Sequence, residues 1–338
     1  MTSINRLYID RRSEEDALTG RIRKALPDAG ITIVGGPEDI PESEAGRRDT
    51  LFLTHHPGAF VKDFPTVPGS PPCGEKYILT MLNCPFSCTY CYLQSYLEHR
   101  RITIFTNTAR LESEIRSALS SAPAPRLTTG EMGDSLALDH ITGTTAGLLP
   151  LFEGTDTILE VRTKSAQVEH LMGNSGRLVV TWTLGPEEAI RREEPGTASL
   201  TERLGAVSAV ARSGVRVGIR FDPVIPAYYT SEEYMALIDR IADTVPEDAL
   251  YRFELGVLRF PPGLRDIIRR SHPGSRLLLG EYIRDRQGKL RLYRPKRIGI
   301  YRDIHRSINA RFPNVPVEIS MEDLSVWEDA GVPVEACT

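Results

Sequence analysis

From Lys76 onward the chain alternates short apolar runs with stretches whose apolar residues recur at helical spacing. Residues 77–82, 102–106, 126–129, 157–163, 178–184 and 215–221 read as strands. Residues 89–99, 108–120, 140–152, 168–172, 200–213 and 231–244 read as the helices between and after them. Apolar runs of strand length alternating with amphipathic helices predict a parallel sheet with helices outside it. Six such units predict a partial (β/α)6 barrel of the α/β class rather than a closed eight-fold one. Barrels of this kind build their active sites at the C-terminal ends of the strands.

The flanks have a different texture. Residues 1–70 read as a small α/β cap, with strands at 7–9, 31–34 and 51–54 and an amphipathic helix at 14–26. A Pro-rich stretch at 65–72 reads as a linker. The barrel is expected over 71–250. Beyond it come a strand at 252–258, a helix at 264–270, a long helix at 298–310 and a strand at 317–321. These do not form a clean βα unit, so 251–338 is expected to be an extension covering the open side of the barrel.

Composition adds little to this, and charge adds more. The chain has 338 residues, 41% hydrophobic and 25% charged, which is ordinary for a globular protein. No apolar run reaches the length of a membrane span, and the N-terminus lacks the apolar core of a signal peptide. Of five cysteines, three are clustered, which favours a reducing compartment, and a cytoplasmic protein is expected. The net charge is −4, yet residues 252–311 hold sixteen basic against five acidic residues, a local +11 that leaves −15 elsewhere. That segment suggests an anionic partner such as a phosphate, with a solvated helix face as the plainer reading. Arg259, Arg294, Lys296 and Arg297 are the candidate phosphate contacts. Arg259 precedes a Phe-Pro-Pro turn, and the other three open a helix whose N-terminal amides favour anions.

The chemistry concentrates in Cys84-Pro-Phe-Ser-Cys88-Thr-Tyr-Cys91, at the end of the first barrel strand. Cysteine thiolates are the usual ligands of iron–sulfur clusters. Three thiolates on a four-iron cluster leave one iron open to a further ligand. Zinc is the competing reading, but it prefers four ligands and paired cysteines, and the nearest downstream histidine is His99. Cys73 and Cys337 remain as spare thiols, too few for a second cluster.

The C-x3-C-x2-C spacing, with Tyr90 just before the third cysteine, resembles the signature of radical S-adenosylmethionine (radical SAM) enzymes. The resemblance implies a 4Fe-4S cluster on Cys84, Cys88 and Cys91 whose open iron chelates SAM. It also implies reductive cleavage of SAM to a 5′-deoxyadenosyl radical, fed by an external electron donor of flavodoxin or ferredoxin type. Further segments resemble the spore photoproduct lyase family: Cys73-Gly-Glu-Lys, Cys91-Tyr-Leu-Gln, Thr163-Lys164, Glu194-Pro-Gly-Thr and Gly218-Ile-Arg-Phe-Asp-Pro. Leu258-Arg-Phe-Pro-Pro and Ser320-Met-Glu look like its broader, non-spore branch.

That resemblance implies that Ser135 and Lys164 lie near SAM. Glu131, after the strand at 126–129, is a candidate acceptor for the SAM ammonium, and Tyr90 a candidate platform for the adenine. Tyr92 matches the family's assisting tyrosine. Asp134 departs from the pattern, because the spore enzymes carry there the cysteine that returns a hydrogen atom to the thymine product. A carboxylate O–H bond is too strong for that role. Asp134 and Tyr92 are therefore expected as the catalytic pair of a radical SAM enzyme that modifies the sugar or base of a nucleotide or nucleoside, in biosynthesis. Repair of thymine photodimers in DNA stands as the alternative, and a non-catalytic iron–sulfur sensor as the reading from outside enzymology.

Overall fold

The computed structural model describes residues 4–71, 73–121, 126–173 and 176–334. Its centre is an open eight-stranded sheet. Seven strands run parallel, in the order Lys76–Ile78, Arg126–Thr129, Ile158–Thr163, Leu178–Thr183, Arg216–Val224, Leu250–Val257 and Val317–Ile319. Val61–Asp63 adds antiparallel to the first of them. The two ends of the order do not pair, so the sheet curls into a half-barrel with a seam.

Alternation along the strands sorts side chains between two environments. On Ile158–Thr163, Leu159 and Val161 join the large core under the helices, whereas Glu160 and Arg162 point into the lumen. Helix Leu200–Arg212 contributes Val207 and Val210 to that core and starts from a capping box made by Ser199 and Glu202. Helix Ser231–Ala242 adds Leu237, Ile238 and Ile241.

The lumen is charged. Arg126 grips both Glu318 oxygens at 2.9 and 3.0 Å, Arg162 reaches Glu75 at 2.7 Å, and Arg252 reaches Glu160 at 2.8 Å. Nearer the C-terminal ends, Arg220 bonds Asp222 and Glu254, each at 2.9 Å, and Arg259 faces Asp222 at 3.4 Å. Five guanidiniums thus face five carboxylates inside the barrel, which places Arg220 inward, a point that strand alternation alone leaves open. Burial works against ionisation of Glu160, but Arg162, Arg252 and Arg126 hold its carboxyl well below the usual range.

Several expectations about elements change. The strand expected at 77–82 is two strands. Lys76–Ile78 stays in the barrel, and the chain then crosses over so that Met81–Leu82 pairs antiparallel with Ile102–Phe105. Ile102–Phe105, expected in the barrel, pairs parallel with Thr50–Thr54 and completes a second sheet with Arg6–Asp10 and Gly30–Val34. Its four residues are all buried and carry no period that tells one parallel sheet from another. Conversely, Leu250–Val257 and Val317–Ile319, expected as a covering extension, are the last two barrel strands. Their inward charges, Arg252, Glu254 and Glu318, disguise them as polar-faced surface strands.

The helix expected at 140–152 is broken by Gly143 in the left-handed region (φ 65°) into Asp139–Thr142 and Thr144–Leu148, then a 3-10 turn at Leu149–Phe152. What does lie over the barrel mouth is a three-stranded antiparallel sheet, Arg259–Phe260, Leu290–Leu292 and Tyr282–Arg284, with helix Leu264–Ser271 beside it. Among the described residues no helix is long and apolar enough to cross a membrane.

Candidate active site

The crossover from one sheet to the other delivers the cysteine loop to the C-terminal mouth of the barrel. Asn83 makes the turn in the left-handed region (φ 62°), a conformation asparagine tolerates better than most residues. Its side-chain amide donates to the carbonyls of His99 (3.1 Å) and Arg101 (2.9 Å), and its backbone N–H donates to Met132. Arg48 donates to the Cys84 carbonyl at 2.7 Å, and Gln94 donates to the carbonyls of Cys88 and Thr89 at 3.1 Å.

Cys84, Cys88 and Cys91 are half-buried free thiols. Burial raises all three, Cys84 being pushed up to about 12 with Asp134 and Cys91 adding to the effect, while Lys164 opposes it at Cys88 and Cys91. Three free sulfurs on one loop beside a lysine form a donor set that fits an iron–sulfur cluster. Among the described residues no three His, Cys, Asp or Glu side chains converge on a single metal ion. Cys73, read as a spare thiol, is disulfide-bonded, a pairing that spacing along a chain does not reveal. Cys337 lies outside the described residues.

The expected SAM-side residues surround the loop. Lys164 follows strand Ile158–Thr163 and holds its ammonium 5.8 Å from the centre of the Tyr90 ring. Burial disfavours its charge, but Cys88 and Glu194 outweigh this, so it keeps its proton more firmly than a free lysine. The Tyr92 hydroxyl donates to the Glu131 carbonyl (2.6 Å) and carboxylate (2.9 Å). Ser135 shares a hydrogen bond with Thr129 at 2.7 Å, and its Oγ accepts from the Arg162 N–H at 3.1 Å. Gly130, at φ 93°, leaves no room for a Cβ between Ser135 and the Arg162 carbonyl.

Asp134 is saturated. It accepts from the N–H groups of Leu136 and Ala137, the Thr163 hydroxyl at 2.7 Å and the Lys164 N–H at 2.7 Å. It stitches the segment carrying Ser135 to the strand end carrying Lys164. Burial raises its pKa, while the Thr163 hydroxyl, the N–H and charge of Lys164 and the Leu136 N–H pull the other way.

The four candidate phosphate contacts are not brought together. Arg259 is in the lumen against Asp222. Arg297 is buried, donates to the Leu292 carbonyl and pairs with Glu322 at 2.7 Å. Arg294 pairs with Asp329, and Lys296 with Glu281, both at 2.7 Å on the surface. Two residues that were not expected in the site are central to it. Glu194 accepts from the Tyr90 hydroxyl and from Arg203, and Glu193 accepts from Thr89. The only signal for them in sequence is the Glu194-Pro-Gly-Thr segment.

An open α/β half-barrel with a three-cysteine loop at its mouth defines a radical SAM protein. A family model described as spore photoproduct lyase matches residues 62–319, and the chain belongs to that family. It is similar to the spore photoproduct lyase of Bacillus subtilis (strain 168), 26% identical over 271 residues that cover 74% of this chain and 77% of the relative. It is also similar to that of Geobacillus sp. (strain Y412MC61), 27% identical over 251 residues, 72% and 71% of the two chains. Among solved structures, spore photoproduct lyase complexed with dinucleoside spore photoproduct superposes with a TM-score of 0.81 at 23% identity, covering 94% of this chain and 99% of that one. A double variant with bound AdoMet and dinucleoside spore photoproduct gives 0.80 at 22%, with the same coverage. The likeness in fold therefore extends into the N-terminal sheet, outside the family match.

Proposed function

We propose that this chain is a radical SAM lyase acting on a covalently joined thymine pair in DNA. The observation that carries this reading is the rim of the cysteine-loop face. Arg265, Arg269, Arg270 and Arg276 are exposed on and just after helix Leu264–Ser271, which packs against the helix Leu93–Tyr96 that follows the cysteine loop and carries the exposed Tyr96. Cations for phosphates beside apolar side chains for bases are what a nucleic-acid partner asks for. The names of the relatives, and the dinucleoside photoproduct bound in similar structures, support the same substrate class.

Cys84, Cys88 and Cys91 would hold a 4Fe-4S cluster, and Tyr90, Glu131, Ser135 and Lys164 would hold SAM. When bound, the cluster would supply the electron for reductive cleavage of SAM and so the means of removing a hydrogen atom from the substrate. The protein's part is orientation and exclusion of competing reactions. Lys164 offers a fixed cation to the SAM carboxylate. Tyr92, its hydroxyl held by Glu131, would be the group to return a hydrogen atom to the product, since the Asp134 carboxylate cannot donate one, with the resulting tyrosyl radical reset by the hydrogen first removed.

Asp134 favours a second reading. With a carboxylate where the spore enzymes carry a thiol, a substrate radical that is not quenched by sulfur suits modification of a nucleotide's sugar or base. Anaerobic reconstitution, followed by SAM, reductant and a duplex bearing the photoproduct, separates the two. Restored thymine that depends on both SAM and reductant supports the lyase. SAM cleavage without thymine release from any photoproduct, together with turnover of a free nucleotide, overturns it in favour of the second reading.

A further inference from the structure

The spacer between the second and third cysteines is only Thr89 and Tyr90, and two consecutive glutamates grip both of them. Glu193 ends the helix Glu187–Glu193 and accepts from the Thr89 hydroxyl, while its backbone carbonyl accepts from the Thr89 N–H at 2.8 Å. Glu194 accepts from the Tyr90 hydroxyl. One residue further, the Pro195 carbonyl accepts from the Ser87 N–H at 2.9 Å.

The grip is anchored on both sides. Arg203, 0% exposed, joins Glu194 to the Thr183 carbonyl at the end of a barrel strand and to Ala198. Glu193, 1% exposed, also accepts from the Tyr228 hydroxyl (2.7 Å), the Ser275 hydroxyl (2.9 Å) and the Arg276 N–H (3.1 Å). Ser275 and Arg276 follow helix Leu264–Ser271, which carries part of the exposed basic rim. The same carboxylate therefore holds the cysteine loop and the segment beneath that rim.

We propose that Glu193 and Glu194 are positioning residues for the cysteine loop, setting the placement of Cys88 and Cys91 through Thr89 and Tyr90. The proposal rests on the radical SAM reading above. Iron–sulfur centres respond to hydrogen bonding and to solvent access around their ligands. A loop freed on its Thr89 side keeps its sulfurs but lets them shift, and a shift at one ligand changes the iron left open for SAM.

The test compares wild type with Thr89→Val, Glu193→Gln and the pair combined, all reconstituted in the full chain. Iron content and melting temperature report folding, and the EPR spectrum of the reduced cluster, titrated with SAM, reports the open iron. The expected result is wild-type iron content, with the SAM-dependent spectral change moved to about tenfold higher SAM in each single variant, the size of one lost hydrogen bond to a charged group. The double variant shifts less than the sum of the two single shifts, because the bond between Thr89 and Glu193 is lost in both. Tyr90→Phe and Glu194→Gln form a second cycle with the same expectation. If Glu193→Gln loses iron, Thr89→Val alone decides, since it removes only the loop-side hydroxyl. A wild-type titration in Thr89→Val, or additive shifts in the double variant, overturns the proposal. A wild-type protein with no four-iron signal, or no response to SAM, instead removes the reading beneath it.

Discussion

At the scale of single residues, Lys164 and Asp134 separate binding from scaffolding. Lys164→Ala removes a cation facing Cys88 and the Tyr90 ring, so SAM affinity is expected to fall about ten- to a hundredfold with iron content kept. Equilibrium binding of SAM to the reconstituted variant checks this, and unchanged affinity rejects the assignment. Asp134→Asn turns an amide N–H toward a backbone donor. It is expected to cost about 1–3 kcal/mol of stability, measured by denaturant unfolding, and an isostable variant would mean that the four bonds to Asp134 are dispensable. The three cysteines were visible as a motif because they fall within eight consecutive residues of the chain. Glu193 and Glu194 were not, because two acids closing an amphipathic helix look solvated until Thr89 and Tyr90, over a hundred residues earlier, fold against them. Arg297 misled for the same reason: its partner Glu322 is distant in sequence, so a buried ion pair read as a free cation at a helix start.

At the scale of elements, most strands and helices were visible as periodicity, and the misreadings fell where a polar face hides an interior. The lumen-facing charges of Leu250–Val257 are the clearest case, since polar alternation normally means solvent. The lumen pairs also make a sharp demand on stability. Glu160→Gln leaves Arg252 and Arg162 short of a buried carboxylate, and a loss of about 3–5 kcal/mol is expected from chemical unfolding. A loss below 1 kcal/mol (roughly the worth of an exposed pair) would show that water reaches the lumen. In the N-terminal sheet, Asp10 is held at about 2, chiefly by its hydrogen bonds to Arg12, against burial. Its folded value lies below the ordinary 3.8, so its contribution is complete above that value and is lost as pH falls toward 2. Asp10→Asn is expected to flatten this acid limb in melting temperature measured from about pH 6 down to pH 2. An acid limb identical to wild type would exclude the pair as a source of acid sensitivity.

At the scale of the whole molecule, the excess of basic residues after position 252 divides in two. Arg252, Arg259, Arg291 and Arg297 turn inward or pair with buried acids, and the rest lie at or near the surface, among them the exposed arginines on and after helix Leu264–Ser271. Sequence reveals the sum of these charges and not their partition, which depends on the curl of the sheet. A duplex engaging that rim should bind with a log–log salt slope of about −0.9 per phosphate contacted. Arg269→Ala and Arg270→Ala should each make the slope shallower by about one unit or less. Salt-independent binding would leave the rim without a role in DNA recognition. The crossover at Met81–Leu82 has a consequence for how such a protein can be recombined. The family match begins at residue 62, yet the sheet from which the cysteine loop hangs draws three of its five strands from residues before it. Any exchange of genetic material with a breakpoint between Thr54 and Met81 would hand the loop to one parent and three strands of its hanger to another. The residues before 62 therefore have to be inherited together with the cysteines.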